Sequence, residues 1–416
     1  MKILFIYPRF EKLLEAYALR QRMPAAAGTW SFRMPPAQAI PILVELLPAG
    51  TSWRVIDQNS EAVDFDDDAD LVAVSFFTPQ ATDAYELADR FLSRGKTVVM
   101  GGLHPTVCPG EAARHCTSLC IGEAEDVWPA MLADFRQGRL KRLYRPATPI
   151  PGERIAAGAM SLRAGRAGYD WSPALVAATR GCPYGCTWCS LPQCQGGAVR
   201  FRPMERVAAQ IASLGGREFY LIDDVLLLDR PETRDYLSGL CRMLAGSRSP
   251  MLLASSPAFD PSPDLLDLLA SAGAREFYIA FADDPASRRF FARDRELRRR
   301  WLGICARLAD RNVRLFASFG LGFDGAGAGQ FDTVLEFCRQ ARPSRAEFFI
   351  ATPFPGTPFW RAVVEADRLL GVPVWRRFNG AHAVFAPQDL TPQALEEGFL
   401  RLWEDYYGAA PGAAGS

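Results

Sequence analysis

The sequence predicts an α/β protein made of two successive parallel-strand units, followed by a small helical segment. Three observations carry this reading. Short apolar or β-branched runs alternate with helical stretches along most of the chain. The alternation breaks at residues 141–170, a Pro-, Gly-, Arg- and Ala-containing stretch without periodicity, and then restarts. A length of 416 residues is also more than one small domain needs.

In the first unit, KILFIYP (2–8), SWRVIDQ (52–58), LVAVSFF (71–77), TVVMGG (97–102) and SLCIGE (118–123) read as strands. Helices are expected over Pro36–Leu47, Thr82–Arg94, Gly110–Cys116 and Glu125–Phe135. Five parallel strands joined by crossover helices predict a doubly wound, flavodoxin-like (Rossmann-type) sheet that binds ligands at the strands' C-terminal ends. Residues 1–140 are assigned to this unit and 141–170 to an ordered linker.

The second unit, 171–360, offers six strands: 174–181, 218–224, 250–256, 276–282, 313–323 and 346–352. Helices are expected at Met204–Leu214, Thr233–Ala245, Pro263–Ala272, Arg295–Ala309 and Phe331–Gln340. Six β/α units predict a partial barrel with its chemistry at the C-terminal mouth. An extension, 361–407, ends in a helix over Pro392–Tyr407 with Thr391 as N-cap. The tail from 408 to 416 reads as disordered.

Composition narrows the function. Lys plus Arg and Asp plus Glu are equal at 47 each, so there is no electrostatic footprint for nucleic acid. MKILFIYPRF is too short an apolar run for a signal peptide, and no stretch reads as a membrane span. The expected location is therefore cytoplasmic, where disulfides are rare.

That matters for TRGCPYGCTWCSLPQC (179–194), which concentrates four of the chain's ten cysteines. Cys182, Cys186 and Cys189 follow a Cys-x3-Cys-x2-Cys spacing just after the first barrel strand. Three thiolates so spaced can ligate one face of a cubane cluster and leave its fourth iron open. Zinc normally takes four ligands in two close pairs. Cys194 is a candidate fourth ligand, but the histidines (104, 115 and 382) lie far off in sequence. A structural loop of buried cysteines is the plain alternative.

RGCPYGCTWCS resembles the cluster motif of radical S-adenosylmethionine (SAM) enzymes. FRPMERVAAQIASL…EFYLIDDVLLLD is similar to the Arg-x-x-x-x-Glu helix and Asp-Asp strand end of the subgroup with an N-terminal cobalamin-binding domain. GGLHPTVCPGEAARH, CIGEAEDVWPAML and ATPFPGTPFW resemble further segments of that subgroup. The resemblance spans about residues 1–405. It implies a 4Fe-4S cluster on the three cysteines, SAM on its open iron, and a 5′-deoxyadenosyl radical that removes hydrogen from a substrate. A small-molecule substrate, cobalamin, and an electron donor such as flavodoxin or ferredoxin complete the implied set, with no nucleic acid or membrane partner.

By resemblance, Trp188 lies against the adenine. Asp223 and Asp224, Ser256, Ser318 and Gly320 stand at strand ends facing SAM. Simple helix capping and loop hydrogen bonding are the competing readings for the aspartates and Ser256. For cobalamin the expected contacts are Ser75, Phe76, Phe77, Thr78, Gly101, Gly102, His104, Thr106, Gly122, Glu123 and Glu125. Phe76 or Phe77 is expected beneath the corrin ring, with core packing the alternative for one of them, and His104 near the nucleotide tail. Cys108, Cys116, Cys120, Cys241, Cys305 and Cys338 read as packing or loop residues.

Two departures matter here, the first of them from the subgroup's own pattern. Its fourth barrel strand often ends Gly-Phe-Glu-Ser, whereas here Ala280-Phe281-Ala282-Asp283 stands, leaving Asp283 or Asp284 to supply a carboxylate. The Asp-x-His-x-x-Gly motif that ligates cobalt in cobalamin mutases is absent, as in the subgroup. The expected activity is methylation of a weakly activated carbon. A radical cyclase or rearrangement enzyme on the same scaffold is the alternative, and a cobalamin or iron–sulfur sensor without turnover a more distant one. A tRNA methylthiotransferase would need further cluster cysteines and a basic module.

Overall fold

The computed structural model describes residues 1–23, 38–158, 174–223, 226, 230–247, 249–255, 259–282 and 294–408. Two six-stranded parallel sheets organise them.

The first sheet contains β1 (Lys2–Tyr7), β2 (Ser52–Asp57), β3 (Leu71–Ser75), β4 (Thr97–Gly101), β5 (Ser118–Cys120) and β6 (Leu143–Tyr144). Its order is β2-β1-β3-β4-β5-β6, the flavodoxin-like order extended by one strand. β3 is buried along its whole length, as a central parallel strand covered on both faces must be. Leu4, Ile6, Val72 and Val74 form one core, while Ile3, Phe5, Leu71 and Ala73 form another on the opposite face. That split follows from the two-residue repeat of a strand.

Between these strands run α1 (Leu19–Arg22), α2 (Ala39–Glu45), α3 (Ala81–Leu92), α4 (Leu103–Val107), α5 (Pro109–Ala112) and α6 (Trp128–Arg136). The helix expected at Gly110–Cys116 is present, with α5 passing into a 3-10 turn over Ala113–His115, and it follows an elbow. Cys108, at φ −124° and ψ 53°, separates α4 from α5, because Pro109 disfavours a helical residue before it. β6 lies in the segment read as linker; two residues carry no periodicity to detect.

The second sheet comprises β7 (Ala174–Val176), β10 (Phe219–Leu221), β11 (Met251–Ser255), β12 (Ala274–Phe281), β13 (Arg314–Leu321) and β14 (Arg345–Ile350), adjacent in that sequence. The expected 174–181 strand stops at Val176. Thr179–Arg180 (β8) instead pairs antiparallel with Arg200–Phe201 (β9), and α7 (Leu191–Gln195) lies between them. The covering helices are α8 (Met204–Ala212), α9 (Pro231–Met243), α10 (Pro263–Ser271), α11 (Arg295–Ala309) and α12 (Gln330–Ala341). They pack on Phe277, Ile279, Phe319 and Phe348.

The helix α13 (Pro358–Glu365) was not read from the sequence, although Thr357 caps it at 3.0 Å from the Trp360 amide and Pro358 opens it. In α14 (Pro392–Gly408), Thr391 does cap, its Oγ1 accepting from the Ala394 amide at 3.1 Å. Residues 409–416 of the expected tail and 159–170 of the linker lie outside the described residues. Among the described residues no helix is long and apolar enough to cross a membrane.

Candidate active site

The cysteine loop begins at Gly181, whose φ is +92°. A Cβ there would stand 2.1 Å from the Ala198 carbonyl oxygen, so the turn into Cys182 accepts only glycine. The Cys182 amide donates to the Gly196 carbonyl at 3.2 Å, and the Cys189 amide to that of Cys186 at 3.2 Å. Cys182 is buried, whereas Cys186 and Cys189 are partly open, and none of the ten cysteines is in a disulfide.

Among the described residues, the trio of metal-ligating side chains that converges within 4.8 Å is His104, Cys108 and Glu111, not the three loop cysteines. A tetrahedral zinc with Zn–S near 2.3 Å holds its sulfurs about 3.8 Å apart. The Cys-x3-Cys-x2-Cys spacing of the loop can instead supply three thiolates to one face of a multi-iron cluster.

Asp223 ends β10 beneath the loop, and its carboxylate is fully engaged with backbone. It accepts from the Ala178 amide at 3.0 Å, from the Thr179 hydroxyl at 2.6 Å and from the Thr179 amide. Burial pushes it up to about 6, against the pull of those hydrogen bonds. Asp223 therefore braces the strand that leads into the cysteines. Asp224, Ser256, Asp283 and Asp284 lie outside the described residues.

A second brace crosses from the first sheet. Glu123 accepts from Arg180 at 2.9 Å and from Arg200 at 2.7 Å, while Glu125 accepts from Arg180 at 2.7 Å. All four side chains are nearly buried. Burial disfavours the Arg180 charge, but Glu125 and Glu123 outweigh it and raise its pKa. Glu123 and Glu125, expected at cobalamin, thus spend their charge on the β8–β9 hairpin. Neither arginine was singled out from sequence, although Arg180 directly precedes Gly181 and Cys182.

Between the two sheets lies a cavity of about 280 Å³. Ser75, Gly101, Gly102, Thr106, Gly122, Glu123 and Glu125 line it from the first sheet, and Thr179, Arg180, Leu191 and Cys194 from the cysteine-loop side. Gly102, at φ +105°, comes so close to β3 that a Cβ would sit 2.5 Å from the Phe76 oxygen. The Thr106 hydroxyl donates to the Gly102 carbonyl at 2.7 Å and accepts from the Gly122 amide at 3.0 Å, locking the cradle. Cys194 sits in this wall, its thiol pushed up to about 12 by burial.

Phe76, Phe77, Thr78 and His104 do not line the cavity. Phe76 packs edge-on to Tyr85 at 5.7 Å, and Phe77 on Phe10 at 5.1 Å. Core packing explains both phenylalanines. His104 is buried against Trp375 and the Thr78 hydroxyl.

Trp188 faces Phe323 and Phe349, each at 6.5 Å, in an aromatic wall beside the loop. Phe349 and Phe323 also close on Gly320, leaving no room for a Cβ there. Ser318 donates to Glu347 at 2.8 Å, as does the Tyr278 hydroxyl at 2.8 Å, a buried polar cluster that sequence reasoning missed.

A cysteine loop on the first β/α connection of a six-stranded parallel partial barrel defines the radical SAM class, and residues 176–338 match the Radical SAM superfamily. Those residues form a Radical SAM domain, and the chain is an enzyme. Over 347 residues it is 27% identical to bacteriochlorophyllide d C-12(1)-methyltransferase of Chlorobaculum tepidum, covering 81% of this chain and 75% of that protein. The C-8(2)-methyltransferase of the same organism is 27% identical over 395 residues, 89% of this chain and 85% of the relative. Among solved structures, the radical SAM methyltransferase TsrM of Kitasatospora setae, with cobalamin and a [4Fe-4S] cluster bound, shares the fold. Its TM-score is 0.64 at 14% identity, covering 96% of this chain and 85% of that one.

Proposed function

We propose that this chain is a cobalamin-dependent radical SAM methyltransferase that methylates a weakly activated carbon of a small molecule. The observation carrying this reading is the cavity whose two walls are the strand ends of the first sheet and the base of the cysteine loop. Two relatives named as methyltransferases of bacteriochlorophyllide carbons support the reaction class.

In this reading residues 1–140 hold cobalamin, 171–360 hold cluster and SAM, and 361–407 close the molecule. Cys182, Cys186 and Cys189 hold a four-iron cluster, and Trp188 shields SAM from the side. The cradle of Gly101, Gly102, Thr106 and Gly122 takes a flat part of cobalamin, because at about 280 Å³ it admits a ring but not the whole corrin. When bound, the cluster with SAM supplies a hydrogen-abstracting radical, and cobalamin the methyl group. The protein's part is orientation and exclusion of water. Asp223 and the Glu123–Arg180 pair hold the cluster loop at a fixed height over the cradle. An external one-electron donor such as flavodoxin or ferredoxin starts each turnover.

The test is anaerobic incubation of cluster- and cobalamin-loaded protein with SAM and reductant, followed by chromatography. The expected products are 5′-deoxyadenosine and S-adenosylhomocysteine, both lost in the Cys182→Ala/Cys186→Ala/Cys189→Ala variant. Loaded protein that forms neither product would overturn the reading.

A further inference from the structure

The elbow between α4 and α5 gathers three donors that the cofactor sites do not use. His104, Cys108 and Glu111 bring one ligand atom each within 4.8 Å of one another. The spacing is His-x3-Cys-x2-Glu across a single bend, where the Cys108 amide donates to the His104 carbonyl at 2.8 Å. Cys108 and Glu111 are half-buried, and the His104 side chain is wholly enclosed at 0% exposure.

His104 is the decisive member. Its Nδ1 lies 3.2 Å from the Thr78 hydroxyl, while Nε2 is buried with no hydrogen-bond partner. An orphaned buried nitrogen costs on the order of 1–3 kcal/mol, so its retention needs a compensating ligand. With Nδ1–H donating to Thr78, Nε2 presents a lone pair. This is the usual arrangement of a metal-bound imidazole, whose other nitrogen is held by an outer partner. Glu111 is held in the same way, accepting from the Trp375 indole N–H at 2.8 Å.

We propose that His104, Cys108 and Glu111 bind a divalent ion of the zinc type, with water in the fourth position. Zinc accepts a nitrogen, a sulfur and a carboxylate oxygen together, whereas magnesium and calcium take all-oxygen sites. Burial favours the neutral form of His104, which is the ligating form. Burial and the neighbouring Glu111 keep the Cys108 thiol protonated, up to about 12, until a cation arrives. Thiolate plus carboxylate then neutralise the ion's two charges inside a mostly enclosed site. The site pins the elbow to Trp375, and so fastens the C-terminal extension to the first sheet. It is independent of the cluster and cobalamin assignments.

The test uses full-length protein carrying its iron–sulfur cluster, expressed with added zinc and desalted over a weak chelator, with iron and zinc measured on the same sample. About one zinc per chain is expected beside the iron, with X-ray absorption showing one sulfur in its shell. His104→Ala and Cys108→Ala should each lower zinc at least ~10-fold at unchanged iron, and Cys116→Ala should keep it. Should either variant also lose iron, Thr78→Val decides: zinc affinity measured against a chromophoric chelator should fall ~10-fold. Wild-type protein without zinc, zinc with three sulfurs, zinc retained in both alanine variants, or unchanged affinity in Thr78→Val would each overturn the proposal.

Discussion

Asp223 shows how one buried carboxyl can couple pH to the cluster loop. Its pKa of about 6 stands above the ordinary value near 3.9. Between those values the folded chain keeps a proton that the unfolded chain has released. The contribution to stability is therefore complete below about pH 4 and is lost as pH rises through about 6. Asp223→Asn cannot ionise, so urea midpoints should fall less between those pH values in the variant than in wild type. Near neutral pH the same variant, keeping Oδ1 on Thr179, turns an amide N–H₂ toward the Ala178 amide, which should cost ~1–3 kcal/mol. It should also retain less iron. A variant as stable as wild type with a full cluster would contradict the bracing role. His104 carries a second residue-scale expectation, because its imidazole is absent from the cavity wall. Bound cob(II)alamin should show no protein nitrogen splitting in its electron paramagnetic resonance spectrum, and His104→Ala should leave that spectrum unchanged.

At the scale of elements, the β8–β9 hairpin depends on charges supplied by another part of the chain. Glu123→Gln leaves Arg180 and Arg200 short of a buried counter-charge, and the loss should approach ~3–5 kcal/mol in denaturant unfolding. Asp66→Asn, which removes the exposed partner of Arg94, should be nearly silent by comparison. Thr391→Ala deletes the cap of α14 and should cost ~1 kcal/mol without altering iron content. Apart from β6, the strands of both sheets are legible because β-branched runs such as LVAVS and TVVMG announce themselves locally. The roles of Glu123 and Glu125 were not, since Arg180 lies 57 and 55 residues further along. Local sequence exposes a carboxylate but not its partner. Phe76 and Phe77 illustrate a related point: a strand end puts neighbouring side chains on opposite faces, and here Phe76 enters one core while Phe77 packs partly buried against the other.

For the whole molecule, the two sheets meet across one cavity, and the extension returns to bind the first. Arg376 reaches Asp83 at 2.7 Å and Glu86 at 3.0 Å, beside the Trp375–Glu111 contact. Asp83 is held ionised between Arg376 and Arg9, which overcome the effect of its burial. A fragment of residues 1–150 keeps the glycine cradle but loses Thr179, Arg180, Leu191 and Cys194 from the other wall. It should hold cobalamin far more weakly than the full chain in equilibrium dialysis, and equal affinity would show that the wall is dispensable. The cysteine motif was readable because a covalent spacing is a local fact. The cavity was not, because it exists only once both sheets are assembled.

The acidic pair beside β5 also imposes a timetable on biosynthesis. A chain leaves the ribosome N-terminus first, and its domains fold in that order. Glu123 and Glu125 are thus in place, on a finished strand end, before Arg180 or the first cysteine emerges. The hairpin that carries the thiols then docks onto a platform already charged to receive it, and Asp223 follows to lock it from below. Trp375 and Arg376 arrive later still, as a latch over the completed first sheet. A cluster inserted before Asp223 has been synthesised would meet an unbraced loop, so iron loading belongs after barrel closure, and truncated chains ending before Asp223 should emerge iron-free.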